Sequence, residues 1–290
     1  MTHPTSLVFI PSYQQTGLLR SCIDSVLSSF ETKIIILDDS IDSGISDFVA
    51  DMRKAGNKEV LDYLKPMETR ERTSHISSWN RYLALTRGMM SSRKDHAYIN
   101  LRHHDDHLIP RLSQSIKEDF ADTAEPNLVV HPIMVTALKI GRLELLRYHC
   151  TPILQSMLIK YLPLELILLF NYIGPTACIW IREDLALRAP GFDEQLRWLV
   201  DVDWYFGLLK ACKRSQIKVS VNAANKSKSH SQSITNQLRP QISLIQKRER
   251  RQITQKVELS AGLFVLAALL RPLNRVMSCM WLKVHISDAA

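Results

Sequence analysis

Two short apolar runs, with an amphipathic stretch between them, open the chain. Ser6–Ile10 and Lys33–Leu37 are apolar almost throughout, which predicts two strands. From Leu18 to Phe30, apolar residues recur at the spacing of one helix face. Strands without polar alternation that are joined by a helix are typical of a parallel β-α-β unit covered on both faces. The pattern therefore predicts the opening of an α/β fold.

The alternation of helices and strands continues further along the chain. Residues 45–95 are mostly polar with helical spacing, and two apolar runs, Ala97–Leu101 and Asn127–His131, predict a third and a fourth strand. A later helix is predicted from Asp201 to Cys212. Several strands alternating with helices are thus expected before the C-terminal quarter.

Two segments are strongly apolar. Thr151–Ile181 is interrupted by charged residues, proline and glycine, so no clean stretch in it reaches the ~20 residues that span a bilayer. Leu259–Leu270 has only twelve residues before Arg271-Pro272. Both segments are expected in the core, and the second could instead lie in a membrane interface.

Composition places the chain among ordinary globular proteins. It has 290 residues, of which 46% are hydrophobic and 23% charged, which excludes a disordered or collagen-like chain and favours one large domain or a domain with an appendage. The five cysteines are odd in number and form no C-x-x-C pair, so neither a disulfide framework nor a zinc knuckle is indicated. The N-terminus lacks the basic region of a signal peptide. A cytoplasmic location is expected.

Positive charge is concentrated near the C-terminus. The formal net charge is +8, but Lys210–Lys256 holds twelve Lys or Arg and a single acidic residue, Glu249. Such a field attracts nucleic acid, anionic lipid or a phosphorylated ligand. No nucleic-acid-binding motif accompanies it, so nucleic acid is not expected as a partner. With the apolar Leu259–Leu270 beside it, the segment predicts peripheral binding to an anionic membrane face, the alternatives being a solvated helix face and a core helix.

Acidic residues follow two of the predicted strands. Asp38-Asp39 ends the second strand, and Asp105-Asp106 follows the third within the run His103–His107. Ligands of open α/β sheets bind beyond the carboxyl ends of strands. Asp38-Asp39 alone could be a turn or a helix N-cap. Three imidazoles and two carboxylates within five residues, however, are a concentration of metal ligands, and only a solvated polar loop competes with that interpretation.

Five motifs occur along the chain in a fixed order. They are Ser6-Leu-Val-Phe-Ile-Pro-Ser-Tyr13, Ile34-Ile-Ile-Leu-Asp-Asp-Ser40, His75-Ile-Ser-Ser-Trp-Asn80, Tyr98–Pro110, and Gly191-Phe-Asp-Glu194 followed by Asp201-Val-Asp-Trp204. Together they resemble the family 2 glycosyltransferases, over about residues 5–235. The resemblance implies an α/β GT-A (Rossmann-like) fold with a mixed, mainly parallel sheet flanked by helices. Residues 1–235 would form that domain, and residues 236–290 a basic, partly apolar helical C-terminal extension.

The resemblance also implies roles for individual residues. A nucleotide-sugar donor would be contacted by Asp39, with Pro11, Tyr13 and Asn80 beside it; a divalent metal would be held by Asp105, His103 and His230; and Asp201 would be the general base. Local pattern alone gives other interpretations for two of these. Asp201 and Asp203 stand where a helix begins and could cap it, and His230 lies in a polar loop where histidine is usually just exposed.

Five positions depart from the family's pattern. Gln14 replaces the usual Asn, Ser40 the usual Gly, Trp79 the usual Arg, and Val200 the acid before Asp201, while His103 fills the first Asp position of Asp-x-Asp. Imidazole ligates transition metals but suits Mg²⁺ poorly, so Mn²⁺ is the better candidate, unless His103 only supports Asp105 as the ligand.

The expected activity is metal-dependent, inverting transfer of a sugar from a nucleotide-diphosphate donor to a glycan or polyprenyl-linked acceptor, in surface polysaccharide biosynthesis. Two alternatives remain from the same residues. A metal-dependent phosphohydrolase would use the His104-Asp105 doublet but would be helical where Ala97–Leu101 predicts a strand. A catalytically inactive, carbohydrate-binding member of the fold would account for the departures at His103 and Val200.

Overall fold

A computed structural model describes residues 5–29, 31–40, 42–57, 61–65, 75–90, 97–109, 114–120, 126–140, 143–222, 225–227, 236, 238–280 and 283–286. The strands are β1 (Thr5–Ser12), β2 (Lys33–Asp38), β3 (Leu61–Leu64), β4 (Ala97–Leu101), β5 (Asp106–Leu108), β6 (Leu128–Val130), β7 (Ile133–Ile140), β8 (Leu143–Tyr148), β9 (Ile179–Arg182), β10 (Ile217–Val219), β11 (Asn225–Ser227) and β12 (Lys283–Ile286). The helices are α1 (Thr16–Leu27), α2 (Gly44–Met52), α3 (His75–Met90), α4 (Gln114–Phe120), α5 (Pro152–Tyr161), α6 (Leu166–Leu169), α7 (Glu183–Arg188), α8 (Val200–Ala211), α9 (Ile242–Lys256) and α10 (Ala261–Met280).

The main sheet has seven strands in the order β10-β6-β9-β4-β1-β2-β3. The pairs β1–β2, β1–β4, β2–β3 and β6–β10 are parallel, and β9 runs antiparallel to both of its neighbours. The predicted α/β architecture, a mixed and mainly parallel sheet flanked by helices, is therefore confirmed. Because β1, β2 and β4 are parallel, their carboxyl ends meet at one edge of the sheet.

In the opening β-α-β unit, the apolar side chains of β1 are buried by packing against the helix α1. Val8 and Ile10 of β1 are fully buried against α1, which presents Leu19, Ile23 and Val26 to the sheet. The apolar spacing of α1 therefore fixes which helix face packs inward. The prediction that residues 45–95 are mostly helical is only partly right, since the short strand β3 pairs with β2 there.

A second, five-stranded sheet in the order β12-β8-β7-β11-β5 lies outside what the sequence pattern predicted. Its strand β5 begins at Asp106, and β11 pairs antiparallel with it, with Ser227 opposite Asp106. The apolar segment Thr151–Ile181 supplies α5, α6 and β9, and most of its large side chains are buried. This segment is core, as expected.

The C-terminal helices α9 and α10 pack on the same hydrophobic core as the rest of the chain. Ile253 of α9 and Leu263, Ala267 and Leu270 of α10 are buried in the main cluster. The helix α10 is longer than the apolar run Leu259–Leu270, because it continues through Pro272 to Met280.

Candidate functional site

A cavity of about 1110 Å³ opens at the carboxyl ends of β1, β2 and β4. Six of the residues predicted for the site line this one cavity: Pro11, Tyr13, Asp39, His103, Asp105 and Asp201. They come from segments that are far apart in the sequence. The fold therefore places the start of α8 beside the strand ends at which the sequence predicted a site.

Asp39 is held by two side chains from α3. Its Oδ2 accepts a hydrogen bond from the Ser78 hydroxyl, and its Oδ1 lies 3.3 Å from a guanidinium nitrogen of Arg81. Burial raises the pKa of Asp39, whereas Ser78 and Arg81 act to lower it. Its neighbour Asp38 is wholly buried and accepts bonds from the Ser40 amide (2.8 Å) and the hydroxyl of Tyr63 (2.6 Å). Asp38 thus closes the turn, and Asp39 faces the cavity.

The turn after β1 carries an unusual backbone at Gln14. Its φ of 55° is in the left-handed region, which asparagine tolerates better than glutamine does. The backbone N–H of Gln14 donates a hydrogen bond to the hydroxyl of Ser40 at 3.0 Å, which connects the end of β1 to the turn after β2. Two departures from the family's pattern, Gln14 and Ser40, therefore contact each other.

The acidic end of the cavity contains His103, Asp105 and Asp106. Burial lowers the pKa of His103, which favours its neutral imidazole, and its ring packs edge-on against Trp79 with centroids 5.0 Å apart. Burial and the neighbouring charge of Asp105 raise the pKa of Asp106 to about 8. Asp105 is the less buried of the two aspartates. Of this pair, it is the carboxylate that can face a ligand.

No cluster of three or more His, Cys, Asp or Glu suited to a metal ion occurs among the residues that the structure describes. His230 lies outside those residues, while Ser227, three positions before it, lines the cavity. The donors at hand are the Asp105 carboxylate and the His103 imidazole. Such a pair suits an ion that takes its remaining ligands from substrate phosphates, as ions with few protein ligands commonly do.

Asn80 does not line the cavity with the other predicted residues. Its side-chain oxygen accepts from the Phe192 amide at 2.7 Å, and its amide nitrogen donates to the Phe192 carbonyl and to Glu194, both at 2.9 Å. A Cβ on Gly191 would come within 3.1 Å of the same side chain. In this structure, Asn80 joins α3 to the Gly191-Phe-Asp-Glu194 motif.

Asp201, in the first turn of α8, is a cavity residue with a strongly raised pKa. Desolvation raises its pKa to about 7, and the charge of Glu249 adds to that effect. Its Oδ1 accepts from the Val202 amide at 2.8 Å, and Asn171 donates to Oδ2 at 3.5 Å. A carboxylate with a pKa near neutrality is suited to accept a proton at physiological pH. Asp203 is instead paired with Lys256, at 3.7 Å.

The loop before Asp201 is fixed by a buried carboxylate of α9. Glu249 accepts hydrogen bonds from the backbone amides of Arg197 (2.6 Å), Trp198 (2.9 Å) and Leu199 (2.8 Å). Hydrogen bonds with a charged partner contribute about 1.5–3 kcal/mol each. The C-terminal segment therefore positions one wall of the cavity.

Several residues that shape this site were not predicted from the sequence. Arg81 and Ser78, which hold Asp39, follow the helical spacing of α3 but carried no motif of their own. Glu249 could have been singled out, because it is the one acidic residue of the basic segment Lys210–Lys256. Three arginines also line the cavity, namely Arg197, Arg250 and Arg271.

The amino-acid sequence of this chain is similar to that of one curated protein. No family model matches the chain. An uncharacterized protein of Mycobacterium tuberculosis (strain CDC 1551 / Oshkosh), MT1568, is 24% identical over 218 residues, which cover 71% of this chain. The matched part spans 62% of that relative's own length.

Solved structures are similar to this chain over most of its length. Residues 1–349 of S. aureus TarS, in complex with UDP-GlcNAc, superimpose with a TM-score of 0.57 at 13% identity, covering 89% of this chain and 68% of that one. The chain covers only 41% of a longer TarS structure. The mannosyltransferase PcManGT of Pyrobaculum calidifontis, in complex with GDP-Man and Mn²⁺, gives a TM-score of 0.52 at 12% identity, covering 97% and 84%. The chain therefore has the GT-A fold of these glycosyltransferases, as its motifs implied.

Proposed function

We propose that this protein is a glycosyltransferase that moves one sugar from a nucleotide-diphosphate donor to a glycan or polyprenyl-linked acceptor, with inversion, in surface polysaccharide biosynthesis. The observation that carries the proposal is a single cavity that combines Asp39 and Asp105 at the strand ends with Asp201, whose pKa is raised to about 7. The nucleotide-sugar complexes of TarS and PcManGT support such a donor.

Each of these side chains has a distinct task in the proposed reaction. Asp39 lines the cavity, and a carboxylate can accept several hydrogen bonds at once, so it can accept one from the nucleotide in addition to its contacts with Ser78 and Arg81. Asp201 removes the proton of the acceptor hydroxyl as that oxygen attacks the sugar. A single displacement with the base on the acceptor side inverts the anomeric centre.

The leaving diphosphate develops negative charge that the site must stabilise. Asp105 with His103 would hold a divalent cation, Mn²⁺ rather than Mg²⁺, which would supply Lewis-acid stabilisation there. Burial suits His103 to this task, because it favours the neutral imidazole that ligates a metal ion. The Mn²⁺ complex of PcManGT supports this choice.

The phosphohydrolase alternative is less well supported. Its metal-binding region would be helical, whereas Ala97–Leu101 is the central strand β4. His104, the other half of its His-Asp doublet, contacts Gln15 through Nε2 at 3.1 Å. The inactive, carbohydrate-binding alternative becomes an outcome of the assays below.

A screen of nucleotide-sugars by thermal shift tests the proposed function. A donor at about 100 times its dissociation constant stabilises the folded protein by about 2.7 kcal/mol. We expect one nucleotide class to raise the melting temperature, and to raise it further with Mn²⁺. Failure of every UDP- and GDP-sugar to stabilise the folded protein would count against the proposal.

Asp39→Ala is expected to weaken nucleoside-diphosphate binding by about 1–3 kcal/mol, the range for a hydrogen bond with a charged partner. Isothermal calorimetry measures the change. Asp24→Ala, an exposed carboxylate on α1, is the matched control and should bind as the wild type does. Unchanged affinity in Asp39→Ala would return Asp39 to the role of a turn residue.

We further propose that the protein works at the cytoplasmic face of a membrane, bound peripherally through α10. In the described part of the chain, Ala261–Cys279 is the one helix long and apolar enough to cross a membrane, judged by length and composition. One face of it packs on the core through Leu263, Ala267 and Leu270. The opposite face is apolar and exposed: Phe264, Val265, Leu269, Leu273 and Val276. A helix with one face packed on the protein and an exposed apolar face favours lying in the interface over spanning the bilayer.

Val265→Glu is expected to reduce binding to anionic vesicles by about tenfold or more, because it replaces an exposed apolar side chain, which membrane binding would bury, with a charged one. Val265 is 61% exposed. Val221→Glu makes the same change at a site that is 76% exposed and far along the chain from α10, so it should bind normally. Co-sedimentation at low and high salt measures both. Wild-type protein that stays in solution at low salt would remove the membrane role.

A further inference from the structure

Three guanidinium groups line the end of the cavity that the C-terminal half builds. Arg197 lies in the loop before α8, Arg250 in α9 and Arg271 in α10. Across the residues that the structure describes, no carboxylate forms an ion pair with any of them. The nearest acidic residue in sequence, Glu249, is committed to backbone amides at 2.6–2.9 Å.

Arg250 and Arg271 line the cavity and have donors that no hydrogen bond within the described ranges uses. The buried Nε of Arg250 has no hydrogen-bond partner within the described ranges, and burial together with the positive charge of Arg271 lowers the pKa of Arg250. Arg271 donates one bond, to the Leu169 carbonyl at 2.6 Å, out of the five that a guanidinium offers. Two like charges in a partly enclosed space are stabilised by an anion between them.

The arginines line the same cavity as Asp201, the proposed base. Tyr13, Asp39 and Asp105, which follow or end β1, β2 and β4, line it as well. Arg197 stands four residues before Asp201, and Glu249 fixes the loop that joins them. A group bound by the arginines is thus held beside the residue that takes the acceptor's proton.

We propose that Arg197, Arg250 and Arg271 bind a phosphate group carried by the acceptor, so that the preferred acceptor is a phosphorylated saccharide. This inference rests on the proposed glycosyl transfer. Guanidinium groups match phosphate oxygens in paired, parallel hydrogen bonds, which favours phosphate over a neutral glycan. The phosphate could belong to a lipid diphosphate or to a soluble sugar phosphate, and the experiment separates the two.

Inorganic phosphate titrated into protein saturated with UDP or GDP tests the site directly. We expect Arg250→Gln to weaken phosphate binding about 10- to 100-fold, the loss of one charged hydrogen-bonding pair. Arg251→Gln is the matched control, because Arg251 is exposed on the same helix and lines a separate surface depression. Equal losses in both variants, or no phosphate binding by the wild type, would overturn the site.

The same variants distinguish donor from acceptor. The affinity of Arg250→Gln for UDP and GDP should equal that of the wild type; a parallel loss would mean that the arginines hold the donor's diphosphate, and the inference would fall. If the wild type binds phosphate but neither nucleotide, the proposed function fails while the anion site stands.

Transfer assays then identify the source of the phosphate. A sugar 1-phosphate, a short-chain isoprenyl diphosphate-linked sugar and the same sugar without phosphate are offered as acceptors. One phosphorylated acceptor should be preferred, and Arg250→Gln should raise its KM about tenfold or more at similar kcat. Equal use of the neutral sugar would contradict the inference.

Discussion

Asp201→Asn is expected to lower the rate of sugar transfer about 100- to 10,000-fold, the contribution of a positioned general base. Donor affinity should be nearly unchanged, because the base acts in the transition state. Asparagine keeps the size of the side chain and an oxygen that can accept the 2.8 Å bond from the Val202 amide. Steady-state transfer rates and calorimetric donor binding measure the two effects separately.

The pH dependence of transfer gives a second readout of the same residue. The pKa of Asp201 is raised to about 7, so the ionised form that accepts a proton is depleted below that pH. The rate should therefore fall about tenfold per pH unit below pH 7 and level off above it. An ordinary aspartate, with a pKa near 3.9, would leave the rate flat over this range.

Asp203→Asn is the control for this prediction. Asp203 lies on the same helix, but it is paired with Lys256. The Asp203→Asn variant should therefore retain most of the wild-type turnover. If Asp201→Asn is as active as the wild type, the base is elsewhere, and Asp203 and Glu194 are the next residues to test.

Asp105→Ala is expected to abolish the part of donor binding that depends on Mn²⁺, a loss of about 100-fold or more, because a metal ion supplies several kcal/mol of charge stabilisation. Asp105 provides the accessible carboxylate at this end of the cavity, since its neighbour Asp106 is buried. Donor binding is titrated with Mn²⁺ and with a chelator.

Asp51→Ala serves as the control for Asp105→Ala. Asp51 is exposed on α2 and is not among the residues that line the cavity. Its replacement should leave the Mn²⁺ effect intact. A response to Mn²⁺ that persists in Asp105→Ala would assign the ion to other ligands.

Local pattern predicted the parts of the fold whose sequence signal is strong. β1, α1, β2 and β4 were predictable because buried parallel strands are apolar throughout and a surface helix buries one face. The strand β3, with only four residues and a partly exposed face, was missed in a segment read as helical. Most strands of the second sheet have mixed burial, so their pattern carries little signal.

The candidate site was predictable as far as it depends on strand ends. Asp39 and Asp105 directly follow strands, and the sheet places them together. The partners of Asp39, by contrast, come from α3, and the arginines come from three separate segments. Contacts between distant segments depend on packing, which one sequence does not reveal. The raised pKa of Asp201 also depends on packing, because desolvation in the folded protein is its main cause.

The anomeric form of the sugar first released from a nucleotide-sugar tests the central claim most directly. Time-resolved proton NMR follows wild-type protein with the donor selected by thermal shift, in the presence of Mn²⁺ and a phosphorylated acceptor or water. We predict release of the nucleoside diphosphate and transfer of the sugar with inverted configuration, onto the acceptor or, with water, as free sugar, at a rate that falls in both Asp105→Ala and Asp201→Asn. A folded wild-type protein that binds the donor and releases no sugar, or that releases the retained anomer, would contradict the account.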